Sequence, residues 1–268
     1  MLSAAKLHEA LTSCLKELHL PTVRACYEQE ADRARQEALS YEAYLADLME
    51  QEREVRRENR IARLLRQSRL PLEKTLEAFQ MDRLPRKVRS QINALREGSF
   101  VERRENVLAF GNPGSGKTHL LCGLGQELIH QDRRVLFTTC TALVQELLIA
   151  KRDLMLSRHL KRLSRYQAII IDDIGYVQQN REEMEVLFTL LAERYERGTV
   201  MLTSNLPFSQ WERIFKDPMT TAADIDRLVH HSIILELNLP SYRLEKSKGN
   251  RRSKKKKDGA APGESPGV

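Results

Sequence analysis

The sequence predicts an α/β fold: a parallel five-stranded sheet with helices on both faces. Three observations predict it. From residue 106 onward, short apolar runs alternate with longer amphipathic stretches, the pattern of strand–helix–strand units. The run "AIII" (168–171) is apolar at every position, as in a strand covered on both faces. And a glycine-rich octapeptide, "GNPGSGKT" (111–118), joins the first apolar run to the first helix-like stretch.

The chain before that core reads as helical. In residues 1–70, Leu7, Leu11, Leu15 and Leu18 recur at spacings of three and four. Pro21 ends that helix or restarts another. Ser40 is a fitting N-cap for a helix that puts Tyr41, Tyr44, Leu45, Leu48 and Met49 on one face, extended by Val55, Ala62 and Leu65. Such a rod, about 43 Å long, calls for other helices or a partner to pack against. Residues 71–105 form a connector in which "LPLEKTLEAF" and "PRKVRSQINALREGSF" read as short helices joined by turns.

Within residues 106–245 the expected strands are "NVLAF", "RRVLFTT", "QAIIIDDIG", "TVMLTSN" and "IILEL". The expected helices run from the glycine loop through Leu128, over "TALVQELLIAKRDLMLSRHLKRLSR" as one piece, over "REEMEVLFTLLAERYER", and over "TTAADIDRLVHHS". Residues 246–268 hold eight basic and two acidic residues and too little apolar material for a core, so a disordered basic tail is expected. The rest of the chain carries 36 basic against 35 acidic residues. Overall charge therefore argues weakly for nucleic acid, and a site for it must come from local clustering.

No stretch approaches 18 consecutive apolar residues, which argues against a membrane span. Cys14, Cys26, Cys122 and Cys140 form no CxxC pair and no His pair has zinc-finger spacing, so reduced thiols in the cytoplasm are expected. The adjacent His230 and His231 point in different directions on a helix and suggest no metal site.

The octapeptide fits G-x-x-x-x-G-K-[ST] through Gly111, Gly116, Lys117 and Thr118. In such a loop backbone N–H groups curl around phosphates, and side chains would obstruct their approach. The segment Gly111, Asn112, Pro113, Gly114, Ser115, Gly116, Lys117, Thr118 and His119 is therefore the expected binding site for ATP. Lys117 would reach the β/γ-phosphates and Thr118 would ligate Mg²⁺. The following helix points its positive end at the anion. The strand before and the helix after separate this motif from a chance glycine turn.

A P-loop needs an acid at the end of another apolar strand, and "AIIIDD" supplies it. Asp172 would hold the Mg²⁺ shell. Asp173 would orient or deprotonate the attacking water; the alternative for paired acids is a turn or cap. Asn205 ends "VMLTSN" and would face the γ-phosphate if its strand lies between the other two. Otherwise it is a turn residue before Leu206 and Pro207.

Together these elements resemble the AAA+ ATPases, and within them the IstB-like transposition helpers of bacterial insertion sequences, relatives of DnaC-type helicase loaders. The carrying stretches are "GNPGSGKTHL", "IIIDDIGY", "LTSNLPFSQWERIF", "AADIDRLVHHSIILELNLPSYRLEK" and the helical "LHLPTVRACYEQEADRARQEALSYEAYLADLMEQE". They cover roughly residues 15–246. The resemblance implies a strand order of 5-1-4-3-2, a reduced helical lid, and ATP bound between subunits of a homo-oligomer. It implies that Arg227 is an arginine finger reaching a neighbour's γ-phosphate, and that Arg243 is either a nucleotide sensor or part of a structural ion pair. Asp173 stands where many AAA+ proteins carry Glu, which implies slow turnover. It further implies assembly on duplex DNA and recruitment of a transposase. The alternatives are a helicase loader and an ATP-gated adaptor with little turnover.

One local cluster suits DNA. Lys151, Arg152, Arg158, Lys161, Arg162 and Arg165 accompany one acid, and the last four recur at helical spacing on one face. That face would track phosphates without reading sequence, or is simply solvated. The tail "KSKGNRRSKKKK" would add affinity or only solubility.

Overall fold

The structure is a computed structural model that describes residues 3–174, 181–206, 210–211 and 228–241. Its contacts divide the chain into two units, Met1–Arg63 and Leu64–Val268. The expected basic tail, residues 246–268, lies outside the described residues, as do Arg227 and Arg243.

The first unit contains α1 (Ala4–Glu17), α2 (Pro21–Gln36) and most of α3 (Tyr41–Ser68). Pro21 opens α2 at a position where a missing N–H costs nothing. Ser40 caps α3, its Oγ accepting from Ala43 N at 3.2 Å. The core is small: Leu15, Val23 and Leu48, with Leu20, Cys26, Tyr27 and Tyr44 packed against it. Of the apolar face expected on α3, Tyr44 and Leu48 turn inward, while Tyr41, Leu45 and Met49 remain exposed.

A carboxylate ties this unit together. The N-cap of α2 is Leu20, which has no side-chain acceptor. Glu52 of α3 takes over, accepting from Thr22 N at 2.8 Å and Val23 N at 3.1 Å. Its other oxygen receives Arg56 Nε at 2.7 Å. Burial alone would raise the Glu52 pKa, but Arg56 and the two amides outweigh it and hold the carboxyl below its usual range.

The second unit is a five-stranded sheet with order β2-β3-β4-β1-β5, all neighbours parallel. Read from the other edge this is 5-1-4-3-2. The strands are β1 (Asn106–Phe110), β2 (Val135–Thr139), β3 (Ala168–Ile174), β4 (Thr199–Ser204) and β5 (Ser232–Glu236). The helices are α4 (Arg86–Arg96), α5 (Ser99–Glu102), α6 (Lys117–His130), α7 (Cys140–Arg152), α8 (Leu156–Leu163) and α9 (Arg181–Arg194). Alternate strand residues Leu108, Leu136, Ile169, Ile171, Val200 and Leu202 pack with Leu143, Leu147 and Leu163 of α7 and α8 and Leu187 and Leu190 of α9. Ile170, one residue out of phase, meets Gly125 of α6 on the other face. The inner strands β1 and β4 are buried at every position.

Two expectations need correction. Residues 70–80 form no helix; turns there lead into a 3₁₀ turn at Met81–Arg83. The segment lies along α6, where the Gln126 side-chain amide donates to Lys74 O at 3.1 Å and Leu76 packs on Gly123, so tertiary contacts override its helical pattern. Second, "TALVQELLIAKRDLMLSRHLKRLSR" is not one helix. It breaks at Asp153–Met155, where Leu154 takes φ 57 and Met155 N bonds back to Ala150 O.

One buried charge supports the sheet's far end. Arg194, at the end of α9, donates to the carbonyls of Leu163, Tyr166, Gln167 and Thr199 at 2.9–3.3 Å. Burial pushes its pKa down to about 10, which leaves it charged at neutral pH.

Candidate functional site

The glycine loop leaves β1 and ends at α6, whose N-cap is Gly116. Gly111, Gly114 and Gly116 take φ of 148, 79 and 98. Each also sits where a Cβ would collide: 2.1 Å from Leu237 O, 2.3 Å from Ser241 Oγ and 2.7 Å from the Phe79 ring, respectively. Side chains are thus excluded by both backbone conformation and space. Within this cradle the buried Ser115 hydroxyl finds no protein partner among the described residues. A cradle of this kind, opening on the N–H groups of a helix's first turn, fits a chain of phosphates.

Lys117 is only 5% exposed, and an ammonium so buried must be met by acceptors. It donates to Gly111 O at 2.7 Å, Asn112 O at 3.0 Å and Asn205 Oδ1 at 2.7 Å. Asn205 follows directly on β4, which lies between β1 and β3, the strand placement on which its expected role is conditioned.

Next to Lys117, Thr118 Oγ1 donates to Asp172 Oδ1 at 2.8 Å. Asp172, 7% exposed at the end of β3, also receives Thr203 Oγ1 at 2.6 Å. Hydroxyl and carboxylate oxygens are the donor set that a hard divalent cation takes. Asp173 is exposed and has φ 60, and its N–H donates to Thr203 Oγ1 at 2.8 Å. The structure therefore brings together the glycine loop, Lys117, Thr118, Asp172, Asp173 and Asn205. It ties the His119 ring to the connector through Thr75 O at 2.8 Å and an edge contact with Phe79, while the His119 backbone stays in the first turn of α6.

Sequence reasoning missed the walls of this site. Phe79 covers Gly116, Leu237 covers Gly111 and Ser241 covers Gly114. Arg83 joins the two flanks by donating to Pro240 O at 3.2 Å. A signal was present in Gly123 and Gly125, two glycines inside a helical stretch, which mark close approach of another segment. Their Cβ positions would fall 2.8 Å from Leu76 and 2.7 Å from Ile170. Burial beside these glycines pushes the Cys122 thiol up to about 12, so it stays protonated. Among the described residues no cluster of His, Cys, Asp and Glu has metal-site geometry, and no helix is long and apolar enough to cross a membrane.

The basic cluster divides. Lys151 pairs with Glu185 at 2.9 Å and Arg152 with Asp153 at 3.0 Å. Arg162 lies 3.9 Å from Glu146 and its guanidinium donates to the His159 ring at 3.2 Å. Arg158, Lys161 and Arg165 are exposed and have no carboxylate partner among the described residues.

Comparisons with known proteins agree with this geometry. Residues 13–250 match the family described as IstB-like ATP binding protein. A protein of Sinorhizobium fredii named as an insertion-sequence ATP-binding protein is 42% identical over 230 residues, which are 85% of this chain and 77% of that one. The protein named as the ATP-binding protein of insertion sequence IS21 from Pseudomonas aeruginosa is 39% identical over 241 residues, 90% of this chain and 89% of that one. Among solved structures, DnaI superposes with a TM-score of 0.53 at 19% identity, covering 63% of this chain and 94% of DnaI, a likeness in fold. The sheet order, the phosphate cradle and a match over most of its length lead to one conclusion: the chain belongs to the IstB-like ATP binding protein family, on an AAA+ P-loop fold.

Proposed function

We propose that this chain is an ATP-dependent transposition helper that assembles on duplex DNA with little regard for sequence and recruits a transposase. The observation that carries the reading is the convergence of Lys117, Thr118, Asp172 and Asn205 on the open face of the glycine cradle. The relatives named for insertion sequences support the biological setting.

In this reading the amides of residues 111–119 and the orphaned Ser115 hydroxyl hold the phosphates of ATP. Lys117 exchanges its loop carbonyls for the β/γ-phosphates and stays oriented by Asn205. Thr118 and Asp172 hold Mg²⁺, which neutralises charge on the phosphates when bound. Asp173 and Asn205 position the attacking water, and the short Asp173 side chain keeps turnover slow. Arg227 serves as the finger for a neighbouring subunit and Arg243 as a sensor. Arg158, Lys161, Arg162 and Arg165 track the DNA backbone, assisted by Lys151 and Arg152 where their ion pairs open.

The test is assembly on duplex DNA, followed by electron microscopy with a non-hydrolysable ATP analogue. Lys117→Ala is expected to abolish ATP-dependent assembly, because an ammonium contact to the phosphates is lost. Undiminished assembly by this variant would reject the reading.

A further inference from the structure

The β3–β4 ladder runs in step to Ile171↔Leu202 and resumes at Ile174↔Ser204, so β3 uses one residue more than β4 across that interval. The extra residue falls at the two acids, and Asp173 takes the left-handed conformation. A bulge of this kind leaves an amide without its ladder carbonyl. Thr203 makes good the loss: its Oγ1 accepts the Asp173 N–H at 2.8 Å. The same hydroxyl donates its own proton to Asp172 Oδ1 at 2.6 Å. Thr118 donates to that same oxygen, and neither bond uses Oδ2. Thr203 is fully buried, so solvent does not compete for either bond.

We propose that Thr203 is a positioning residue for nucleotide hydrolysis: one buried oxygen fixes the carboxylate of Asp172 and the backbone of Asp173 as a single unit. This rests on the reading of Asp172 and Asp173 given under Proposed function. The position must accept from an amide and donate to a carboxylate at the same time, which a hydroxyl does and a hydrocarbon cannot. Valine keeps the shape and loses both bonds. Serine loses the methyl and keeps both.

The experiment compares Thr203→Val and Thr203→Ser in the full chain, with Asp172→Asn and Asp173→Asn as references. Amide exchange over residues 168–174 is followed without nucleotide. Binding of a fluorescent ATP analogue is measured with and without Mg²⁺, and ATP turnover is measured alongside. The valine variant is expected to lose protection at the Asp173 amide. Its affinity gain from Mg²⁺ and its kcat each fall by about ten- to a hundredfold, the usual effect of removing a group that orients a metal ligand. Metal-free affinity stays within about twofold, since the phosphate cradle is untouched. The serine variant recovers all three readouts.

A valine variant with parental Mg²⁺ gain and kcat overturns the proposal. So does equal impairment of valine and serine, which would assign the effect to the methyl group. Should the valine variant not fold, Thr203→Cys, near serine in size but a weak donor, is compared with serine in the same way. Impaired Asp variants beside a normal valine variant remove Thr203 alone. Asp variants that keep parental Mg²⁺ gain and turnover remove the reading of the acids instead.

Discussion

Gly116 illustrates how much one missing Cβ can accomplish. Its φ of 98 belongs to the region L side chains avoid, and an added Cβ would sit 2.7 Å from the Phe79 ring. Gly116→Ala is therefore expected to cost about 1–2 kcal/mol from the backbone alone, measured by denaturant unfolding, and to weaken nucleotide binding as Phe79 is displaced. Lys117 is held differently, as a donor to two loop carbonyls and to the Asn205 side chain. These residues were the most legible in the sequence, because the motif spacing dictates both their chemistry and their conformation. Phe79, Leu237 and Ser241 were not legible. Their part in the site depends on where distant segments cross the loop, and no local pattern records that.

Among the elements, α2 depends on α3 for its cap. Glu52 binds the first amides of α2, and its folded pKa lies below the ordinary value of 4.5. A depressed carboxyl stabilises the fold above its unfolded pKa and loses that contribution as pH falls through the folded pKa. The first unit is thus expected to loosen on acidification below about pH 4.5. Glu52→Gln should remove about 1–2 kcal/mol at neutral pH and flatten the acid dependence, read as hydrogen exchange over residues 21–36. Arg194 plays the opposite part, a cation holding four carbonyls from the ends of α8, β3 and β4. Arg194→Met leaves those acceptors buried and is expected to cost about 2–4 kcal/mol, visible as a lowered Tm. Neither residue announced itself: one more Glu or Arg in a helix rich in both reads as surface. The sheet was legible because strands covered on both faces need uninterrupted apolar runs. The break between α7 and α8 was not, since Leu154 carries no turn signature and sits in the left-handed region all the same.

For the whole molecule, the question is what assembles on what. If α8 follows the DNA backbone, affinity should depend on salt through the number of phosphates neutralised. Arg158→Glu with Arg162→Glu is expected to weaken duplex binding and to reduce the slope of log affinity against log salt by about two units. Anisotropy titrations at several salt concentrations check this, and an unchanged slope would move the DNA path elsewhere on the surface. The near balance of charge outside residues 246–268 makes such a local test more telling than global pI.

Arg83 and Pro240 stand 157 positions apart, yet one hydrogen bond joins them beside the phosphate cradle. The glycine cradle is therefore finished only when the polypeptide has come full circle, with its upstream and downstream flanks clasped. A fragment trimmed to the sheet, from Asn106 to Glu236, would keep the glycine loop, Lys117, Thr118, Asp172, Asp173 and Asn205 and still lack Phe79, Leu237 and Ser241, so the smallest piece with a complete cradle has to extend beyond the strands at both ends.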